Sequence, residues 1–304
     1  MVLESLVPVF ALIAMGAALK HHRLISADFL TTTDRLVYYI FFPLLLFWKI
    51  GAAPATSTGS GSFYLAVVLA VLVIYLASLV YIRWRIPDFQ AGAFSQSCYR
   101  FNTYIGMAII LNTFGEEAAR QFGMLIGCFI PINNVLAVAT LTWYARAKST
   151  ARAHIVQTLR AMLTNPLIIG CVTGLVYARL VGTFPAVVDN TLALLTAMTL
   201  PLALLSIGGG LRLTGFRDYW RPALAGAGFK LLGLPLVGGL LLHGAAVSAL
   251  EFKIGMLYFA LPISPATYVL TAQLNSDTGL ASVAIVMTTA LSVIPLALVL
   301  TLLG

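Results

Sequence analysis

Charged residues are scarce in this chain, and their scarcity excludes an ordinary soluble domain. Asp, Glu, Lys and Arg together make up 9% of the 304 residues, whereas soluble domains carry about 25%. Apolar residues make up 60%, and the mean hydropathy is +0.97. Because no polar stretch is long enough for a separate soluble domain, we expect nearly the whole chain to contact a lipid bilayer.

Motifs that indicate an enzyme or a nucleic-acid-binding protein are also missing. The sequence has no HExxH, no GxSxG and no pair of carboxylates inside an apolar stretch, so we expect no enzyme. Its three cysteines form no CxxC pair, and we expect no metal and no organic cofactor. The 18 basic residues are spread along the chain rather than gathered on one helix, which argues against a nucleic-acid partner.

Ten long apolar stretches are present instead. A tilted helix needs about 20 apolar residues to cross roughly 30 Å of hydrocarbon. The pattern therefore predicts an all-α polytopic membrane protein with ten spans, at about 3–19, 34–50, 63–82, 91–111, 122–144, 164–180, 188–211, 222–242, 254–274 and 281–303.

The second half of the sequence repeats the first. A shift of 158 residues places Pro8 on Pro166 and Pro43 on Pro201. Later in each half the shift is 164, and it pairs Thr103 with Thr267, Tyr104 with Tyr268, Gly115 with Gly279 and Pro131 with Pro295. We assign the repeats to residues 1–148 and 160–304. Five spans per repeat make the two antiparallel, and inverted repeats are typical of secondary transporters.

The distribution of basic residues predicts the orientation in the membrane, because cytoplasmic loops are enriched in Lys and Arg. With the N-terminus outside, the cytoplasmic loops carry Lys20, Arg23, Arg35, Arg83, Arg85, Arg146, Lys148, Arg152, Arg160, Arg212, Arg217 and Arg221. The opposite side has Arg120, Arg179 and Lys253. We therefore expect both termini outside, which is periplasmic for a bacterial inner membrane.

Three basic residues, Lys49, Arg100 and Lys230, lie inside predicted spans, while no acidic residue lies deep in one. A charge at the centre of a span costs about 2.5–3.5 kcal/mol, so it usually faces protein or water. A transported anion would supply the missing negative charge. For Lys49, at a helix end, snorkelling to the interface is the favoured alternative. Lys230 would either bind substrate or pair with carbonyl groups at a helix end.

The fourth and ninth spans differ from ordinary lipid-facing helices. The ninth contains Pro262 and Pro265, which remove two backbone donors and should break the helix. The fourth is polar around Arg100 and Asn102 but has no proline. Two broken helices would direct half-helix N-termini, with their partial positive charge, at an anion. The alternative is a pair of kinks that serve only packing.

Four short stretches, in this order and spacing, resemble the auxin efflux carrier family in its bacterial branch, which includes malonate and malate permease-like proteins. They are Arg100–Gly106, Asn165-Pro166, Pro201 with Ser206–Gly209, and Leu261-Pro262 with Tyr268. The resemblance covers essentially the whole chain. Two features differ from the family: Phe101 replaces the expected crossover proline, and the long loop of plant auxin exporters between the fifth and sixth spans is absent.

The resemblance implies a ten-helix fold of five plus five, related to bile-acid symporters and sodium–proton antiporters. Helices 1, 2, 6 and 7 would form a scaffold domain, and helices 3–5 and 8–10 a transport domain around the crossover of helices 4 and 9. The function implied is elevator-type transport of a small organic anion such as malonate, malate or an auxin-like acid. The coupling ion, H⁺ or Na⁺, is left open, as is a homodimer through the scaffold helices.

The predicted substrate-binding residues cluster in the fourth and ninth spans: Arg100, Asn102, Thr103, Tyr104, Lys230, Pro262, Ser264, Thr267 and Tyr268. Asn133, Asn134 and Asp277 are candidates for an ion or proton site, with bonding between helices and a helix cap as the simpler alternatives. Two other functions fit the same residues, an anion-binding membrane sensor without transport and an anion channel.

Overall fold

A computed structural model describes residues 2–52, 59–144, 163–211 and 215–303. All regular elements in these ranges are helical. The α-helices are α1 Val2–His21, α2 Ala27–Leu36, α3 Phe42–Gly51, α4 Gly61–Arg85, α5 Asp88–Tyr99, α6 Thr103–Tyr144, α7 Pro166–Leu180, α8 Ala186–Ala197, α9 Thr199–Gly210, α10 Phe216–Gly228, α11 Leu234–Gly244, α12 Ala249–Ala260, α13 Ala266–Gln273, α14 Thr278–Leu291 and α15 Val293–Leu303. Two π-helical turns, Val37–Phe41 and Phe229–Gly233, connect α2 to α3 and α10 to α11.

Six helical segments in the described ranges are long and apolar enough to cross a membrane. They are Ala27–Gly51, Gly61–Arg85, Asp88–Tyr144, Ala186–Gly210, Phe216–Gly244 and Thr278–Leu303, with shorter apolar helices at Leu6–His21 and Pro166–Leu180. The all-helical expectation is confirmed, and the ten-span inverted repeat stays a prediction. The predicted fourth and fifth spans lie in the segment Asp88–Tyr144, in which two helices meet at a kink at Gly115, and the ninth is divided between α12 and α13.

The connection expected between the fourth and fifth spans, at residues 112–121, is a sharp turn at a single residue in the structure. Helix α6 runs through this region and turns sharply at Gly115, where φ is +76° and ψ is −166°. Glycine adopts this backbone conformation without a steric penalty, so one residue replaces a loop. As a result Glu116 and Glu117 are helical. Five of the basic residues used for orientation, Arg146, Lys148, Arg152, Arg160 and Arg212, lie outside the described residues.

The helices group into two compact units. The first comprises Met1–Gly59, Thr103–Ile130 and Ala161–Leu211. Within it α1 packs on α9. A Cβ atom added to Gly16 would overlap the carbonyl oxygen of Leu205, and one added to Gly208 would overlap that of Ile13. Small residues let membrane helices approach backbone to backbone, which gains van der Waals contact where lipid offers no hydrophobic driving force.

Helix α3 packs on α7 in the same unit, and these two helices also approach each other backbone to backbone at glycines. Gly170 lies against the backbone of Pro43, and Gly174 against that of Phe47. The contact of Gly16 with Leu205 and the contact of Gly174 with Phe47 are equivalent in the repeat. Gly16 and Gly174 are 158 residues apart, and so are Phe47 and Leu205. The shift that aligns the two halves of the sequence therefore also relates two helix contacts in the structure.

Prolines explain the irregular turns between neighbouring helices. Proline has no N–H for the carbonyl four residues earlier and displaces it, so the preceding turn widens or breaks. Pro43 follows the π-helical turn before α3, and Pro235 follows the one before α11. Pro201 follows the interruption at Met198 between α8 and α9.

The second unit comprises Ser60–Asn102, Pro131–Arg160 and Arg212–Gly304. Helix α10 packs on α14, and α11 packs on α4 and α12. A capping box of Ser248 and Glu251 begins α12, and the Ser60 N–H also donates to Glu251. Burial acts to raise the pKa of this carboxyl, but the hydrogen bonds from Ser60 and Ser248 outweigh burial and hold it below its usual range.

We expect the Gly208→Ala variant to be less stable than the native protein, because the added methyl group meets the backbone of α1. Overpacking of this kind costs roughly 1–3 kcal/mol. The matched control is Gly210→Ala, since a Cβ atom there would contact nothing within 4 Å. Thermal unfolding of both variants in detergent checks this expectation. Equal melting temperatures for the two variants would contradict the close packing of α1 on α9.

Candidate functional site

Two helices of the second unit are interrupted where the sequence predicts a break. Helix α5 ends at Tyr99, and Arg100 is extended, with φ −63° and ψ 153°. The chain is non-helical through Asn102. Helix α12 ends at Ala260, and the chain is irregular around Pro262 until α13 begins. The first interruption therefore forms without the proline that the family resemblance leads one to expect at Phe101.

The two interruptions lie against each other. The Asn102 N–H donates to the Pro262 carbonyl at 2.9 Å. The ring of Phe101 packs on that of Tyr258, with 4.5 Å between centroids. The Ile263 N–H donates to the Thr288 hydroxyl at 3.4 Å. Backbone groups released by one broken helix are thus bound by the other broken helix and by α14. We call residues 100–102 and 261–265 the crossover.

Arg100 is buried at the end of α5 and is held by two amide side chains. Its Nη1 donates to Gln96 Oε1 at 2.8 Å, and its Nη2 donates to Asn134 Oδ1 at 3.0 Å. Gln96 in turn donates to the Thr271 hydroxyl on α13 at 3.2 Å. These bonds connect the first interrupted helix to α6 and to the half-helix after the second interruption. Asn134 therefore bonds between helices through the guanidinium of Arg100.

Lys230 lies in the π-helical turn Phe229–Gly233 and has no exposed surface. Its ammonium group donates to the Phe259 carbonyl at 2.7 Å and to the Tyr258 carbonyl at 3.5 Å. Both carbonyls belong to the last turn of α12. Of the two uses considered from the sequence, the observed contacts are those with carbonyl groups at a helix end.

The residues in and after the second interruption differ in solvent exposure. Pro262 and Thr267 are buried, whereas Tyr268 is 37% exposed. The Ser264 hydroxyl accepts a hydrogen bond from the Ala266 N–H at 3.2 Å and so supports the start of α13. The Thr267 hydroxyl has no hydrogen-bond partner among the residues that the structure describes. A buried polar atom without a partner is rare in proteins and requires an explanation.

Four other predicted residues lie outside the crossover. Asp277 is buried and caps α14 by accepting from the Leu280 N–H at 3.0 Å. Asn133 is buried on α6. Tyr104 lies in the first unit near the start of α6, where its ring packs edge-on against Phe42. Thr103 is the first residue of the same helix. A role of these four residues in substrate or ion binding stays a prediction.

Lys49 does not lack a counter-ion, contrary to the expectation from the sequence. Its ammonium group pairs with Glu116 at 2.8 Å and lies 3.7 Å from the ring centroid of Trp48. The Trp48 indole donates to Asp189 at 2.6 Å. The sequence missed this pair because it assigned Glu116 to a loop, whereas the turn at Gly115 brings Glu116 to the end of α3.

A cavity of about 380 Å³ lies beside Lys49 in the first unit. Apolar side chains of α1, α3, α6, α8 and α9 line most of it, and its polar lining includes Lys49, Trp48 and Asn112. Within the described ranges, no group of three or more His, Cys, Asp or Glu residues has an arrangement that would hold a metal ion.

The electrostatics of the crossover favour an anion. The C-terminal end of a helix carries partial negative charge and the N-terminal end partial positive charge. Each C-terminal end at the crossover has a cation near it, Arg100 after α5 and Lys230 on the last carbonyls of α12. Helices α6 and α13 begin directly after the crossover. The negative helix ends are therefore compensated by basic side chains, and the positive end of α13 lies next to the second interruption.

A comparison with known protein families finds a match in the second half of the chain. Residues 146–300 match the family model described as membrane transport protein. The match covers slightly more than half of the chain and includes Lys230 and the second interruption. A search of curated proteins finds no match to this chain.

The Lys49–Glu116 pair leads to an asymmetric prediction for the stability of the first unit. The side chain of Lys49 is 11% exposed and that of Glu116 is 58% exposed. Removing Glu116 leaves a buried ammonium group without its carboxylate, whereas removing Lys49 leaves a carboxylate that water can solvate. We therefore expect Glu116→Gln to destabilise by about 2 kcal/mol, and Lys49→Met to cost clearly less. Melting temperatures of both single variants and the double variant check this order, and the reverse order would contradict the burial of the pair.

Proposed function

This chain belongs to the membrane transport protein family, the auxin efflux carrier family that its motifs resemble, and on this basis we propose that it is a secondary active transporter of small organic anions. An integral membrane transporter agrees with the long apolar helices. The observation that supports an anionic substrate is the crossover. There two interrupted helices meet, and each C-terminal helix end has a basic side chain close to it.

We assign different roles to the charged and the polar residues of the crossover. Arg100 and Lys230 act through their charge, because both are buried and held by protein groups. Asn102, Ser264, Thr267 and Tyr268 supply hydrogen bonds to the substrate. The Thr267 hydroxyl supports this assignment, since it is buried and has no partner among the described residues. Pro262 and Pro265 keep the helix interrupted.

The substrate class is a mono- or dicarboxylate such as malonate, malate or an auxin-like acid. Transport proceeds by alternating access of the elevator type, in a ten-helix inverted repeat whose transport domain moves against the scaffold domain. The two helix contacts related by a shift of 158 residues support the repeat. The distribution of basic residues supports an orientation with both termini outside, which is periplasmic in the bacterial inner membrane that we propose.

Uptake of radiolabelled malonate, malate and indole-3-acetate into proteoliposomes tests the proposed function. A carrier gives saturable uptake of one acid, competition by related acids and trans-stimulation by substrate inside the vesicles. An anion channel would show no trans-stimulation. Specific binding without uptake would indicate a sensor. Either of these results, or no interaction with any acid, would overturn the proposal of a carrier.

We expect Arg100→Gln to raise the KM for uptake about tenfold or more, because the guanidinium charge at the end of α5 is lost. A tenfold change corresponds to about 1.4 kcal/mol. Arg85→Gln is the matched control, since Arg85 is an exposed residue in the last turn of α4 of the same unit. Initial rates over a range of substrate concentrations give the KM. Equal KM values for the two variants would remove Arg100 from the site.

Thr267→Val separates substrate binding from protein stability. Valine has nearly the same shape but no hydroxyl, so it removes a buried polar atom that has no partner and should not lower the melting temperature. We expect the KM for the substrate to rise several-fold. Thr271→Val is the control, because the Thr271 hydroxyl bonds to Gln96 and to the Thr267 carbonyl and its loss should reduce stability. An unchanged KM in Thr267→Val would show that this hydroxyl does not bind substrate.

A further inference from the structure

We propose that the last carbonyls of α12 form a cation-binding site and that the ammonium group of Lys230 occupies it permanently, in the place of a coupling sodium ion. The consequence for a transporter is that uptake does not depend on sodium. This consequence depends on the proposed function, whereas the assignment of the cation site does not.

The site follows from the way α12 ends. In a continued helix, the Tyr258 carbonyl would accept from residue 262, but Pro262 has no N–H. The Phe259 carbonyl would accept from the Ile263 N–H, which donates to Thr288 instead. The Phe259 oxygen is therefore released from its helical donor, while the Tyr258 oxygen keeps only a long bond from the Leu261 N–H, at 3.4 Å. In transporters with interrupted helices, such carbonyls at half-helix C-terminal ends coordinate sodium ions.

Lys230 meets the requirements of a resident cation. Its side chain is fully buried, and its ammonium group donates to both of these carbonyls. The ring of Tyr258 lies 5.8 Å from the same nitrogen, within reach of a cation–π interaction. No carboxylate among the described residues pairs with Lys230. The ligands of this charge are thus backbone oxygens and an aromatic face, as for a bound metal or organic cation.

The local backbone explains how the side chain of Lys230, which lies between α10 and α11, reaches the end of α12. Phe229–Gly233 forms a π-helical turn directly before Pro235, and such insertions change the direction of side chains and are frequent at functional sites. A second monovalent cation about 4 Å from the ammonium group would be disfavoured on the order of a thousandfold at an effective dielectric constant of 20. Sodium is therefore excluded while Lys230 is in place.

Thermal unfolding of the purified full-length protein in NaCl, KCl and choline chloride at equal ionic strength tests the cation site. We expect the same melting temperature of the native protein in all three salts. In Lys230→Ala the carbonyls lose their cation, so we expect sodium or methylammonium ions to raise the melting temperature by several degrees. Lys230→Met is the matched control, because its side chain fills the same space without a charge and should show no response to these ions.

Each outcome decides the proposal. A sodium-specific rise in the melting temperature of the native protein would overturn it, and so would a folded Lys230→Ala variant that responds to neither ion. If Lys230→Ala does not fold in any salt, the test uses the native protein alone. A rise of its melting temperature in sodium, or direct binding of ²²Na⁺, would then overturn the proposal. These measurements need no transport. Failure of uptake would therefore not contradict the cation site, and sodium-driven uptake by the native protein would overturn the inferred sodium independence without removing the carrier function.

Discussion

Backbone polar groups released inside an apolar protein must find partners, and this requirement organises the crossover. In a membrane no water replaces a missing intrahelical hydrogen bond, so irregular backbone persists only where protein or a cavity supplies the partners. Here the Asn102 N–H binds the Pro262 carbonyl, and Thr288 accepts from Ile263. The two interruptions therefore depend on each other, because each supplies a partner that the other has lost.

The basic residues at the crossover meet the same requirement for partners inside the protein. An interrupted helix exposes a negative end as well as a positive one, and an anion site needs the negative ends to be compensated. Arg100 and Lys230 supply this compensation while remaining buried, since amide and carbonyl oxygens hold their donors. The cations thus stabilise the interrupted fold and set the sign of the potential at the crossover at the same time. In the proposed transporter, the stability of the fold and the selectivity for anions would therefore depend on the same two side chains.

Much of the candidate site was predictable because its causes are local in sequence. Pro262 removes a backbone donor wherever it lies, and a charged residue in an apolar span requires a polar environment, so the interruption of the ninth span and polar surroundings for Arg100 and Lys230 were expected. The partners of these residues were not. Glu116 was assigned to a loop, and nothing near Lys230 in sequence identifies the Phe259 carbonyl as its acceptor. Such partners come from helices that are distant along the chain.

The sequence by itself determined that the chain is helical, that it is apolar enough for a membrane and that the helix containing Pro262 is interrupted. These properties follow from composition, from the length of apolar stretches and from proline, and each acts over a few neighbouring residues. Tertiary structure decided which oxygens hold Lys230 and which carboxylate neutralises Lys49. The physical reason is that a buried charge is stabilised by whichever groups packing brings within about 3 Å, and packing is a property of the whole fold.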